Sequence, residues 1–123
     1  MAEESESLRL ALSGVRPPTL ADANELALHH SDFHIHSFDG LRLVLVGSFD
    51  LCYYHGIELH FIEVARINCP VWFQNPTFAD EGPLNDPASS ISDPRRYSIR
   101  CDEGRFEIVA RSLEIVFVTV KYG

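Results

Sequence analysis

The spacing of apolar residues changes along the chain, from an approximately helical repeat near the start to an alternation that dominates from residue 33 onward. Leu8-Arg9-Leu10-Ala11-Leu12 carries two readings, because its alternation suits a short strand while Leu8 and Leu12 followed by Gly14 suit a turn or two of helix. We read it as helical. Pro17-Pro18 ends it, since neither proline can donate a backbone hydrogen bond. Thr19 followed by Asp22 has the form of an N-cap with an acid near the positive end of a helix dipole. Leu20, Ala23, Leu26, Ala27 and Leu28, with His30, then give a narrow apolar stripe that can dock on a sheet.

After Asp32 strands take over. Asp39-Gly40 is a tight-turn signal, so the histidine-rich segment before it and residues 41–49 are expected to pair as a hairpin, with His34 and His36 beside the middle of the second arm. Leu41, Leu43, Leu45 and Phe49 share one face, and the valines between them predict a central strand partly covered on both sides. Beyond the connection Tyr53-Tyr54-His55-Gly56, residues Ile57, Leu59 and Phe61 keep one phase until Ile62 and Val64 shift it, which requires a bulge or a change of covering layer. Asn68-Cys69-Pro70 breaks that strand, and Val71-Trp72-Phe73 is expected to close one end of the core.

Residues 74–96 contain Pro76, Pro83, Pro87 and Pro94 and are expected to form a long loop without a regular element. Residues 97–101 and 105–111 alternate on either side of the turn Asp102-Glu103-Gly104. Residues 113–122 follow either as another hairpin arm or as part of one long strand bulged at Arg111-Ser112. These patterns predict a sheet-dominated α+β fold of about six or seven mostly antiparallel strands, forming a curved sheet or sandwich with one N-terminal helix packed on it. With 123 residues the chain is near the size of one domain, so a single domain spanning 1–123 is expected, with the acidic, serine-rich residues 1–7 disordered.

Charge narrows the partners. The 18 acidic and 10 basic side chains give a formal charge of −8, which opposes nucleic acids and anionic membrane surfaces. The acidic start lacks the basic and apolar regions of a secretory signal and no segment reaches the length of a membrane span, so a cytoplasmic location is expected. Cys52, Cys69 and Cys101 are odd in number, far apart and without a Cys-x-x-Cys pair, and are read as reduced, buried side chains.

The candidate chemistry lies in residues 29–37, which hold His29, His30, His34 and His36, four of the chain's six histidines. On a regular strand Asp32, His34 and His36 point to one face, and two imidazoles with a carboxylate suit zinc or another divalent transition metal such as iron. His60, or His55 from the connection before its strand, would complete the set, although its phase with Ile62 and Val64 equally suits a core-edge residue. The plainer reading places the histidines on a solvated or helix-covered face, where protonation in mild acid would set like charges together and loosen the docked helix. There is no Gly-x-Ser-x-Gly elbow and no glycine-rich phosphate loop, and Glu58 and Glu63 fall on opposite faces of a regular strand.

Two resemblances bear on function. Asp32-Phe33-His34-Ile35-His36-Ser37-Phe38-Asp39-Gly40 resembles the first metal motif, Asp-x-His-x-His-Ser, of the polymerase and histidinol phosphatase family of metal-dependent phosphoesterases. That resemblance covers nine residues and implies a distorted barrel of alternating strands and helices, with His34 and His36 as ligands of a multinuclear site hydrolysing a phosphate ester. The second lies in the layout: Phe33-His34, an aliphatic strand, Ile57-x-Leu-x-Phe-x-x-Val64, and a late Tyr-x-Ile hairpin ending in an aliphatic strand. This resembles small uncharacterised β-rich proteins of bacteria, some grouped with toxin-immunity proteins, and implies a cytoplasmic binding protein that neutralises a basic toxin; those proteins often carry Asp where this chain has Ile35.

The leading expectation is therefore a small protein-interaction module, immunity-like, without a cofactor, with an unidentified protein partner and dimerisation through long aliphatic strands such as 113–122. The alternative is a metal-dependent hydrolase centred on His34 and His36. A metal site needs three or four donors converging at about 2.0–2.2 Å from one point, whereas a module shows an exposed apolar patch rimmed by acids.

Overall fold

In the computed structural model, which describes residues 5–28, 31–49, 55–85 and 92–119, two helices precede seven strands. The helices are α1 (Glu6–Leu12) and α2 (Leu20–Ala27). The strands are β1 (Ser31–Phe38), β2 (Arg42–Phe49), β3 (His55–Asn68), β4 (Trp72–Gln74), β5 (Thr77–Pro83), β6 (Arg95–Cys101) and β7 (Gly104–Thr119). They form one sheet in the order β4-β1-β2-β3-β7-β6-β5, antiparallel throughout and curled into a half-barrel. Among the described residues no helix is long and apolar enough to cross a membrane. Among the described residues no helix lies between the strands, unlike the alternation implied by the phosphoesterase resemblance.

Two helices, where one was expected to pack on the sheet, both contribute to the core. Leu8 of α1 and Ala23, Leu26 and Ala27 of α2 pack in one cluster with Phe33, Leu43, Leu45, Ile57, Leu59 and Phe61. Residues 5–7, expected to be disordered, instead start α1: the Ser5 hydroxyl accepts from the Leu8 N–H at 3.0 Å and donates to Glu25 of α2 at 2.6 Å. Residues 1–4 lie outside the described set. At α2, the Thr19 N–H donates to the Asp22 carboxylate at 2.7 Å, and the same carboxylate takes both Arg16 Nη atoms at 2.6 and 2.8 Å. Those Arg16 bonds, reinforced by Thr19, hold the Asp22 carboxyl below its ordinary range.

The β1–β2 hairpin forms where Asp39-Gly40 predicts it. Asp39 Oδ1 accepts from the Leu41 and Arg42 N–H groups at 2.9 and 2.7 Å, and Gly40 supplies a φ of +96°. Leu41 belongs to this turn and is exposed, contrary to the buried position its phase suggests; Leu43 and Leu45 are fully buried. The side chain of Phe49 lies outside the described set.

The phase change expected in β3 has a partner in β7. Ile57, Leu59 and Phe61 face the core beside Phe117, Ile115 and Leu113, whereas further along the inward pairs are Val64 with Ala110 and Ile67 with Ile108. Glu63 adopts a left-handed φ of +54° between the two regimes, and Arg111 meets its carboxylate at 3.3 Å. Residues 104–119 are thus one long strand rather than two arms of a hairpin; residues 120–122 lie outside the described set.

Residues 74–96 are not wholly a loop. β5 occupies its first part, with Pro76 just before the strand and Pro83 at its end, positions where a missing N–H costs no ladder bond. The expected loop shrinks to residues 84–94, of which 86–91 are not described. β4 and β5 are consecutive in the chain yet pair with opposite ends of the sheet, β1 and β6. Asn75, at a φ of +53°, joins them: its N–H donates to the Ser31 carbonyl at 3.0 Å, its Oδ1 accepts from the Ser31 N–H at 2.9 Å, and its Nδ2 donates to Asp102 at 2.7 Å. Inside this junction Phe33 stacks on Phe73 at 5.9 Å and meets Phe78 edge-on at 5.3 Å. Gly47, paired with Phe33, leaves room for that ring, since a Cβ there would fall 2.4 Å from it.

Candidate functional site on the outer face of the sheet

Alternation along β1 sends Ser31 and Phe33 inward and Asp32 and His34 outward. The ladder skips His36 between Ile35 and Ser37, so His36 is the extra residue of a bulge and not the third member of a regular row. Both imidazoles are exposed, their ring centroids 6.3 Å apart and the planes inclined at 67°. Asp32 faces the same side, but its Oδ1 accepts from Gln74 Nε2 at 2.8 Å. His29 and His30 lie outside the described residues, as does the side chain of His55.

His60 also faces outward, in phase with Glu58, because the reversal at Glu63 separates it from Val64. β2 stands between it and β1: His60 pairs with Val44, so two inter-strand steps of about 4.8 Å separate it from the β1 histidines. Its Nε2 contacts Glu58 Oε1 at 2.8 Å, while Nδ1 is buried without a hydrogen-bond partner. Of the four residues predicted as ligands, the structure brings together His34 and His36 and keeps Asp32 and His60 engaged elsewhere. Among the described residues no three His, Cys, Asp or Glu side chains converge as a group able to hold a metal ion. Among the described residues the four predicted ligands are thus not gathered around one point.

What the ladders do assemble is a row. Trp72 pairs with His34, His34 with Val46, Val46 with Glu58, and Glu58 with Val116, crossing β4, β1, β2, β3 and β7. A parallel row carries Val44, His60 and Glu114. Trp72 is 51% exposed and Val116 44% exposed, and Asp32, Glu58 and Glu114 lie around them. The sequence placed Trp72 at the closed end of the core; only Phe73 of that run is buried, since alternation in a three-residue strand turns Trp72 to the outside. The period of two was the signal that could have shown this.

The same face contradicts the idea that acid would loosen the helix through His34 and His36. The helices pack with Phe33 on the inner face, whereas both imidazoles are exposed on the outer one. The described thiols are not activated either: burial, with Cys101 nearby, pushes Cys69 up to about 11, and burial also raises Cys101. Cys52 lies outside the described set. No protein-family model, curated protein or solved structure matches the chain.

Proposed function

We propose that the chain is a small protein-interaction module whose contact surface is the outer face of the sheet, centred on Trp72 and His34, and whose partner is a basic protein. The observation that carries this reading is the half-exposed Trp72 continued by Val46 and Val116 and rimmed by Asp32, Glu58 and Glu114. An aromatic anchor ringed by polar groups is the usual composition of a binding hot spot, and truncating such an anchor typically costs about 2 kcal/mol or more of affinity. The acids and the net charge of −8 favour a cationic partner. An immunity-like role in the bacterial cytoplasm, neutralising a basic toxin, is the form of this function that the layout resemblance suggests.

The test compares wild type with Trp72→Ala and Glu58→Lys in capture from bacterial lysate, after circular dichroism has shown unchanged folds. A basic protein retained by wild type and lost by both variants is expected. Equal retention by all three would sink the outer-face reading. Metal analysis of untagged protein addresses the hydrolase alternative: stoichiometric zinc that disappears in His34→Ala/His36→Ala would replace the module with a metal site.

A further inference from the structure

β7 outruns its neighbour. β6 pairs with it only from Gly104 to Ala110, whereas β3 pairs with it as far as Thr119, so, among the described residues, 111–119 have a strand on one side only. Among the described residues no backbone hydrogen bond reaches that stretch from the other side. In an antiparallel ladder alternate N–H and C=O groups point away from the existing partner, so this edge presents a row of unused donors and acceptors.

Two other edges of the sheet carry closures of their own. On β5, the Asn24 side chain takes both the N–H and the C=O of Phe78, at 2.7 and 2.8 Å. On β4, the Gln74 N–H donates to Glu103 at 2.8 Å and its carbonyl accepts from the Asp102 N–H at 3.0 Å. Along β7 the α1–α2 connection runs opposite the free edge, and its Pro17 and Pro18 have no N–H to give. Between the two lies a cleft of about 440 Å³, with residues 14–18 on one wall and Ile115, Val116 and Phe117 on the other. A second cleft of about 300 Å³ continues it past Pro18 and Ile115 to Leu113, Tyr97 and Asp80.

We propose that this groove accepts an extended, basic peptide segment of a partner protein, which adds to β7 as a further strand. The unused backbone groups select an extended chain, as in other strand-addition complexes, and the clefts select small or β-branched apolar side chains at alternate positions. Charge selects the sign. Glu114 is exposed and has no ion partner among the described residues, Arg16 is neutralised by Asp22, and Asp80 by Arg95. A second copy of the chain is disfavoured as occupant, since it brings another −8 of charge and since the α1–α2 connection lines the cleft opposite β7. The groove shares Val116 and Glu114 with the border of the outer face but neither Trp72 nor His34, so a Trp72 variant separates the two readings.

The probe is a synthetic nonapeptide of alternating Lys and Val, with two controls: one with Glu for Lys and one with a central Pro. Titration by fluorescence anisotropy is combined with hydrogen exchange of the full chain. Saturable binding of the Lys–Val peptide, slowed exchange confined to residues 111–119, and loss of binding by both control peptides are expected. Glu114→Lys should weaken the Lys–Val peptide about fivefold or more, and Val15→Trp, a substitution at a residue 70% exposed on the groove wall, should block the site without disturbing the fold. Binding that leaves exchange at 111–119 unchanged, or that the Glu peptide matches, would overturn the proposal. So would a dimer in sedimentation that protects those amides without peptide, because the edge would then belong to a second copy. Trp72→Ala should bind the Lys–Val peptide as wild type does, which separates this groove from the outer face.

Discussion

Asn24 offers the sharpest test of how the sheet is held. Its amide stands in for a missing neighbour strand, donating to and accepting from Phe78 at 2.8 and 2.7 Å from the middle of α2. Asn24→Ala removes both partners from a residue only 2% exposed. With some water reaching the strand edge, the loss is about 2 kcal/mol, from which Ala returns about 0.5 kcal/mol as the better helix former. At about 2.1 cal/mol/K of unfolding entropy per residue, 123 residues give about 0.26 kcal/mol/K, so the net loss lowers Tm by about 6 °C. Asn24→Asp is the more discriminating variant. It keeps the shape and the acceptor but points a carboxylate oxygen at the Phe78 carbonyl, so at neutral pH it should cost at least as much as Ala, and part of the loss should return in acid as the carboxyl regains a proton to donate. Reversible thermal melts read both. An Asp variant as stable as wild type at neutral pH, or an Ala variant within about 1 °C of it, would show that the paired bonds contribute nothing net.

Three further outcomes follow from the packing and the titrating groups. Gly47→Ala should destabilise by about 1–3 kcal/mol through overlap with the Phe33 ring, and Phe33→Leu in the same chain should recover part of that loss in urea melts; additive losses would mean the ring is not the obstacle. Because Asp22 is held below its ordinary value of 3.8, its contribution is full above that pH and is lost as pH falls through the lowered value. The Tm gap between wild type and Asp22→Asn should therefore be constant near neutrality and close in acid, and a gap that widens in acid would contradict the assignment. Cys69, pushed from 9.0 to about 11, should carry about a hundredth of the thiolate of an ordinary cysteine near neutral pH; peptide mapping after iodoacetamide should show correspondingly slow labelling, restored by urea.

The parts of the fold readable in the sequence are those fixed by neighbours in the chain. Asp39-Gly40 announces its hairpin because the turn needs a carboxylate acceptor and a left-handed glycine at adjacent positions. The broken period of β3 announces a phase change, but not that Glu63, a residue with a Cβ, adopts the left-handed φ or that Arg111 meets it from another strand. β5 was hidden because prolines normally exclude a strand, and the exemption for an edge depends on sheet order, which no local pattern carries. For the candidate site, alternation placed Asp32 and His34 correctly on one face. It could not foresee the bulge at His36, nor that β2 would separate His60 from both histidines. Trp72 was misjudged because a large aromatic is ordinarily read as core, and its neighbour Phe73 took that place.

The bend at Asn75 also has a kinetic meaning. Gln74 and Asp32, which it helps bring together, are 42 positions apart, whereas the β1–β2 and β6–β7 hairpins close over a few residues. Loop-closure entropy puts such a long-range junction late in folding, after the hairpins have formed. Weakening it, as in Asn75→Ala, is then expected to leave the refolding rate nearly unchanged while accelerating unfolding, which stopped-flow chevrons would resolve. A slower refolding limb would place the junction in the nucleus instead. On this account the few bonds around Asn75 set how long the folded molecule lasts once made, while its assembly is governed by the turns.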